Sequence, residues 1–176
     1  MLIPYACITS LSFLSIIFSA ISLFTYGWAT VYLENPLFPI TPDEEILIGL
    51  VPFDSSAFGW LVATAIFMYL NFGCALLTFV VCIMGLIVFM MRGDSRYQKY
   101  IYVVICGLAF LTALFGAVAF VIFVASYNVE LEYYFQAEVT IGYSPFLDLI
   151  GFVIAIIAAG ISTFFTIALL NPHTEC

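Results

Sequence analysis

The chain has very little positive charge: only three of its 176 residues are Lys or Arg. Charged residues of both signs make up 8% of the sequence, against about 25% in a typical soluble domain. Hydrophobic residues make up 65%. This composition predicts an integral membrane protein, and so few basic residues indicate no nucleic-acid partner.

Catalytic groups are equally scarce. The sole histidine is His173, close to the C-terminus, whereas nucleophilic or acid–base catalysis needs several cooperating groups within hydrogen-bond reach. We therefore predict a protein that is not an enzyme, with no small-molecule substrate and no cofactor.

The five cysteines do not follow the spacing of a metal site or a disulfide framework. Four fall in apolar runs, where a small side chain suits packing. The fifth, Cys176, is a candidate for palmitoylation.

Four apolar runs divide the chain. About 20 residues cross a hydrocarbon core roughly 30 Å thick, which predicts helices at about 2–24, 68–91, 101–124 and 149–170. The short connections leave no room for a soluble domain, so residues 1–176 form one tetraspan membrane domain. The run 57–91 exceeds one membrane crossing, and we expect residues 57–67 outside the bilayer as a strand or a helical extension.

The basic residues Arg92, Arg96 and Lys99 all lie in the turn at 92–100. Cytoplasmic loops are enriched in Lys and Arg, so these residues are predicted to set the topology, with this turn and both termini in the cytosol of a multi-pass plasma-membrane protein. Loops 25–67 and 125–148 are then extracellular and hold nine of the eleven acidic residues. The Arg-Gly-Asp tripeptide at 92–94 resembles an adhesion motif, but its predicted cytosolic position argues against that role.

Both predicted extracellular loops contain strand patterns. Residues 26–33 and 46–51 are rich in β-favouring side chains and flank a proline-containing segment. Residues 126–145 alternate weakly, at 129–132, and we expect a further strand within them. An isolated hairpin is only marginally stable, so we predict one sheet built from both loops. The predicted fold class is an all-α membrane protein, a four-transmembrane-helix bundle with a small extracellular β-sheet.

Small residues recur three or four positions apart in three of the predicted helices. Such faces let helices approach closely in lipid; the alternative for the serine face is a polar conduction stripe. The predicted helices contain no ionisable residue, which argues against a transporter or an intramembrane protease. The predicted packing residues are Ser12, Ser15, Ser19, Ala109, Ala113, Ala117, Gly151, Ala155 and Ala159.

Aromatic and acidic residues of the loops are the candidates for contact with a partner, since exposed aromatics dominate many interfaces. The carboxylates either concentrate cations or simply keep the exterior soluble. Their spacing does not match a calcium loop, so no metal site is predicted. The candidate interaction residues are Trp28, Tyr32, Asp43, Glu44, Glu45, Tyr133, Tyr134 and Phe135.

Four short segments resemble one known group of proteins: Phe24-Thr25-Tyr26-Gly27-Trp28, Gly49-Leu50, Ser126-Tyr127 and Ile141-Gly142-Tyr143-Ser144-Pro145-Phe146-Leu147. With the layout above, they are similar to the claudin, peripheral-myelin-protein and stargazin-like tetraspan superfamily, including its invertebrate claudin-like members. The chain lacks the cysteine pair that the first loop of this superfamily usually carries. The resemblance implies a left-handed bundle whose sheet takes most strands from the first loop and one from the second.

The resemblance also implies a non-enzymatic role. We expect a protein that organises cell–cell contacts or junctions through its extracellular loops. The alternative is an auxiliary subunit of an ion channel or receptor, and a third hypothesis is a cation-selective paracellular pathway. The expected partners are the lipid bilayer and either a second copy or another membrane protein, contacted through helix faces and loops.

Overall fold

The computed structural model describes residues 2–33, 44–51, 58–93, 97–135 and 138–170. Each helix packs against two others, so α1 and α3 each contact both α2 and α4. All four helices are long and apolar enough to cross a membrane, which confirms the predicted tetraspan bundle. The elements are α1 (Leu2–Phe24), β1 (Ala29–Leu33), β2 (Glu44–Ile48), α2 (Gly59–Arg92), α3 (Tyr97–Phe135), β3 (Glu138–Ile141) and α4 (Ser144–Leu170).

The bundle has two distinct ends. The sheet end contains the last residues of α1 and α3 and the first residues of α2 and α4. The turn end contains the opposite ends of the four helices, including the connection from α2 to α3.

Three helices, α2, α3 and α4, are longer than predicted, and all three extend at the sheet end. Helix α2 begins at Gly59, so the segment 57–67, predicted as a strand or a helical extension, is helical from residue 59. Helix α3 has 39 residues and, at 1.5 Å per residue, is about 58 Å long. This length exceeds a hydrocarbon core of about 30 Å, so α3 projects beyond it.

The strand expected within residues 126–145 is present as β3, but the weakly alternating residues 129–132 are not part of it, because they belong to the end of α3. Phe123, Tyr127 and Leu131 are four residues apart and form one apolar stripe on a helix, which outweighs the weak alternation. Phe123 and Leu131 are fully buried in the core at the sheet end. The strand from the second loop is instead β3.

The three strands form one antiparallel sheet in the order β2-β1-β3. Val31 pairs with Ile46 and Val139, and this row packs into the core. Side chains alternate between the two faces of a strand, so Thr30 and Tyr32 belong to the opposite face. The prediction of one sheet from both loops is confirmed, although the first two strands differ by a few residues from the predicted bounds of 26–33 and 46–51.

Two hydrophobic cores lie at opposite ends of the bundle. At the sheet end, Trp28, Trp60 and Phe123 pack edge to face, with the two tryptophan rings 4.9 and 5.7 Å from the phenylalanine ring. At the turn end, Tyr5 stacks on Tyr102 with ring centroids 4.6 Å apart. Both tryptophans of the chain therefore lie in the sheet-end core.

Small and hydroxyl side chains fill the bundle between these cores. Ser15 donates a hydrogen bond to the Gly151 carbonyl on α4, at 3.0 Å. A cavity of about 10 Å³ lies beside Ser12, Ser15, Thr78 and Thr112, room for roughly one water molecule. Of the predicted packing residues, Ala117 and Ala159 are half-buried and the others are buried: Ser12, Ser15, Ser19, Ala109, Ala113, Gly151 and Ala155.

The row of the sheet that contains Val31 allows a matched test of the packing of the sheet against the helix bundle. Val31→Thr places a hydroxyl in a fully buried position, and we expect a loss of about 1–3 kcal/mol in the free energy of unfolding. The same change at Val129, which is 73% exposed on α3, should stay within about 0.5 kcal/mol. Thermal unfolding in detergent, followed by tryptophan fluorescence, measures both variants. Equal midpoints would contradict the described docking of the sheet.

Candidate functional site

The two loops meet at a backbone junction between the α1–β1 connection and the β3–α4 connection. The Gly142 amide donates to the Trp28 carbonyl at 3.0 Å, and the Ser144 amide donates to the Gly27 carbonyl at 2.9 Å. On the other side of β1, the Trp28 amide donates to the Ile48 carbonyl at 3.0 Å. These bonds extend the sheet to the first residue of α4.

Side-chain hydrogen bonds fasten the same junction to α1. Ser22 Oγ donates to the Ser144 carbonyl at 2.8 Å, and the hydroxyls of Thr25 and Ser144 are 2.6 Å apart. Trp28 Nε1 donates to the Ser22 carbonyl at 2.6 Å. Three polar groups near the end of a membrane helix are thereby satisfied inside the protein.

Trp28 is fully buried by these contacts. The prediction that Trp28 contacts a partner is therefore corrected, because a side chain with no exposed surface cannot contact another protein. The indole instead packs under the sheet. Its ring contacts Phe123, and its N–H donates to the Ser22 carbonyl.

Close backbone approach explains the glycines of the junction. A Cβ on Gly142 would overlap the carbonyl of Gly27. A Cβ on Gly49 would lie 3.0 Å from the Tyr26 Cα. Three of the four segments on which the superfamily resemblance depends, 24–28, 49–50 and 141–147, are thus in contact with one another around Trp28.

The sheet face opposite the core is the candidate interaction surface, which we call the outer face. Its exposed positions include Leu47, which is 56% exposed, and Thr140, while Tyr32 is half-buried. The register places Tyr32 beside Glu45 on one side and Glu138 on the other. The outer face consists of Thr30, Tyr32, Glu45, Leu47, Glu138 and Thr140.

The fold brings together only part of the predicted interaction set. Tyr32 and Glu45 are cross-strand neighbours on the outer face, whereas Glu44 pairs with Leu33 in the row on the other face. Asp43 lies outside the described residues. The remaining three belong to the last turn of α3, at the sheet end: Tyr133, Tyr134 and Phe135.

Two of the predicted topogenic residues, Arg92 and Lys99, lie at the turn end. Arg92 is the last residue of α2, and the ammonium of Lys99 lies 5.1 Å from the Tyr100 ring centroid. Arg96 is outside the described residues. Gly93 ends α2 with a φ of 68° and donates its amide to the Phe89 carbonyl, a conformation that glycine adopts without strain.

One polar contact inside the bundle is not predicted by the sequence patterns. Helix α4 begins at Ser144 rather than near 149, so the part of α4 that is long and apolar enough to cross a membrane, Ser144–Ala168, includes Asp148. The prediction that the membrane helices hold no ionisable residue is wrong at this position. The Ser144-Pro145 pair was the available signal, because serine and proline are common at the first positions of a helix.

Asp148 contacts α2 through a hydrogen bond. Asn71 Nδ2 donates to Asp148 Oδ1 at 3.0 Å and lies 3.4 Å from Ser19 Oγ. A Cβ on Gly116 of α3 would be 3.4 Å from Asp148 Oδ1. All four helices meet here, and Ser19, Asn71 and Asp148 are completely buried.

A four-helix membrane bundle with one docked sheet at one end defines a class of small tetraspan membrane proteins. A family model described as "Tight junction protein, Claudin-like" matches residues 1–176. The chain therefore belongs to the claudin-like tight junction protein family, and the resemblance described above is confirmed. A comparison with curated proteins found no match.

The junction predicts unequal effects for two glycine substitutions. Gly142→Ala must displace the Gly27 backbone, and overpacking of this kind costs about 1–3 kcal/mol. Gly160→Ala has open space in a helix, where alanine is favoured by up to about 1 kcal/mol. In detergent, the tryptophan-detected midpoint should fall for Gly142→Ala and be unchanged or higher for Gly160→Ala. A lower midpoint for Gly160→Ala alone would contradict this account.

Proposed function

We propose that the protein is a non-enzymatic organiser of contacts between cells, and that it acts in the plasma membrane through the outer face of its sheet. The supporting observation is the attachment of this face to the bundle. Strand β1 is fixed to β2 and, through Gly142 and Ser144, to the start of α4. A surface held in this way keeps its orientation relative to the membrane, as a lateral or intercellular contact requires.

The proposed orientation places the sheet outside the cell and the turn end in the cytosol. It follows from the basic residues at the turn end and the preference of such residues for the cytosol. With four spans, both termini are then cytosolic. Tyr26 and Tyr143, which are 55% and 57% exposed next to the junction, suit the headgroup layer, where tyrosine is enriched.

The outer face offers an aromatic and an aliphatic side chain, and the strand register adds two acidic positions, Glu45 and Glu138, next to Tyr32. Tyr32 and Leu47 would supply the apolar contact, because interface energy is concentrated in a few such side chains. The acidic positions would select the partner and its approach, since charge complementarity governs specificity more than affinity. The partner is a second copy or another membrane protein.

An auxiliary-subunit role is the second candidate. Large apolar side chains remain exposed on the helices, among them Phe110, Val121 and Phe164 at 61–66%, and they offer surfaces to lipid or to a channel. Purification in mild detergent separates the two candidates: a stoichiometric pore-forming partner favours the auxiliary role.

A cation-selective pathway along the acidic loops is the third candidate. Replacing Asp43, Glu44 and Glu45 by their amides would lower cation permeability across a cell layer if the loops line such a pathway. An unchanged permeability would remove this candidate.

Localisation in mixed cultures tests the main proposal. Tagged protein expressed in part of a fibroblast culture should accumulate at borders between two expressing cells if it pairs with itself. It should also accumulate at borders with non-expressing cells if it binds another protein. Tyr32→Ser with Leu47→Ser should remove this enrichment, since losing contacts worth about 2 kcal/mol weakens binding roughly thirtyfold.

The matched control is Tyr97→Ser, an exposed tyrosine at the turn end. This variant should accumulate at borders like the unchanged protein. Uniform distribution of the unchanged protein, with no response to cell contact, would overturn the proposal. Equal loss in both variants would show that the outer face is not responsible.

A further inference from the structure

The contact between α2 and α4 contains an acidic side chain without a counter-charge. Asp148 is completely buried within a membrane-spanning helix. The described side chains that meet it are uncharged, and the described basic residues, Arg92 and Lys99, lie at the turn end. An isolated carboxylate in such surroundings is costly, and intramembrane acidic residues usually mark functional sites.

Two oxygen atoms of this contact have no hydrogen-bond partner in the described structure. They are Asp148 Oδ2 and Asn71 Oδ1, both buried. The other half of the contact is made, since Asn71 Nδ2 donates to Asp148 Oδ1 at 3.0 Å. An ionised carboxylate and an amide oxygen are both acceptors only, so neither can satisfy the other.

A single proton on Asp148 would give both of these oxygens a hydrogen-bond partner. A neutral carboxylic acid has one donor and one acceptor, as does the matching edge of a carboxamide. We propose that Asp148 binds a proton in the folded protein and donates it from Oδ2 to Asn71 Oδ1. The two side chains then form a closed pair of hydrogen bonds between α2 and α4, and the site is electrically neutral.

The groups around the site do not compete for this proton. Ser19 approaches from α1, Asn71 from α2 and Gly116 from α3, and none of them titrates in the physiological range. On α4 itself, Phe152 packs beside Gly116. Asp148 is thus the only titratable group among these described neighbours.

The proton-binding site lies on α4 next to the sheet junction, further from the sheet end. Asp148 is on α4 one turn after Ser144, whose carbonyl accepts from Ser22 and whose amide donates to Gly27. Loss of the proton would leave a buried charge at the start of α4. We therefore expect proton binding to stabilise the docking of the sheet, whatever partner the outer face has.

Infrared spectroscopy tests the protonation directly. The chain has four aspartates, and the variant Asp43→Asn, Asp54→Asn, Asp94→Asn retains only Asp148. With ¹³C-labelled aspartate in lipid nanodiscs at neutral pH, we expect the isotope-shifted carbonyl band of a carboxylic acid. A carboxylate band in its place would overturn the proposal, and this measurement does not depend on a substitution at Asp148.

The pH dependence of stability supplies the second readout. If the folded protein retains a proton that the unfolded chain releases, stability must fall as pH rises. The unfolded aspartate releases its proton above about pH 4, so the loss of stability should begin there and continue until the folded protein also releases the proton. Asp148→Asn has two amides that can form the same pair without a proton, so its thermal midpoint should fall less steeply as pH rises over this range. Parallel pH profiles of the two proteins would overturn the proposal.

A bound metal cation is the competing explanation of the same oxygens. Thermal midpoints in sodium, potassium and choline chloride at equal ionic strength distinguish it. Equal midpoints together with the carboxylic acid band support the proton. A higher midpoint in one metal salt, lost in Asp148→Asn and accompanied by a carboxylate band, would overturn it.

Discussion

Hydrocarbon offers no partner to a polar group, and this constraint governs the arrangement of the whole molecule. Hydroxyl groups inside the bundle donate either to carbonyls one turn back in their own helix, as Thr64 and Thr112 do, or to a neighbouring helix, as Ser15 does to Gly151. The buried polar groups that belong to loops cluster at the sheet end. There the indole of Trp28 and the hydroxyl of Ser22 are satisfied by backbone carbonyls. The sheet thus completes the hydrogen bonding of the helix ends while it presents a separate face to its surroundings.

The difference in length between the two ends also follows from the lack of hydrogen-bond partners in hydrocarbon. The turn end is short, closed by Gly93 and by the Gln98 side chain, which donates to the Gly93 carbonyl at 2.8 Å. The sheet end is longer because α2 and α3 both extend there and bury Trp60 and Leu131 against the strands. Helix length beyond the bilayer therefore provides the apolar surface on which a three-stranded sheet, too small to be stable alone, is held.

Much of this architecture is visible in the sequence because it depends on composition and periodicity. Four apolar runs define the helices, and the alternation around Val31 and Ile46 identifies two strands. The errors occur where two patterns overlap. Residues 129–132 alternate weakly, but Tyr127 and Leu131 continue a helical stripe from Phe123, and packing on the sheet decides in favour of the helix. Asp148 falls in the predicted loop 125–148, whereas the helix starts earlier, at Ser144-Pro145. The partner of Asp148 could not be predicted, since Asn71 lies far away in the chain and only the bundle brings them together.

The order of the strands also bears on how the protein is made. The middle strand is synthesised first, directly after the first helix, and one of its two neighbours, β3, comes from near the other end of the chain. During translation one edge of β1 therefore stays open until α2 and α3 have been inserted and β3 has followed them. Contacts so distant in sequence form late, and an open strand edge invites pairing with other chains. Biogenesis, rather than the finished fold, is consequently the stage at which this protein depends most on shielding by the cell's quality-control machinery.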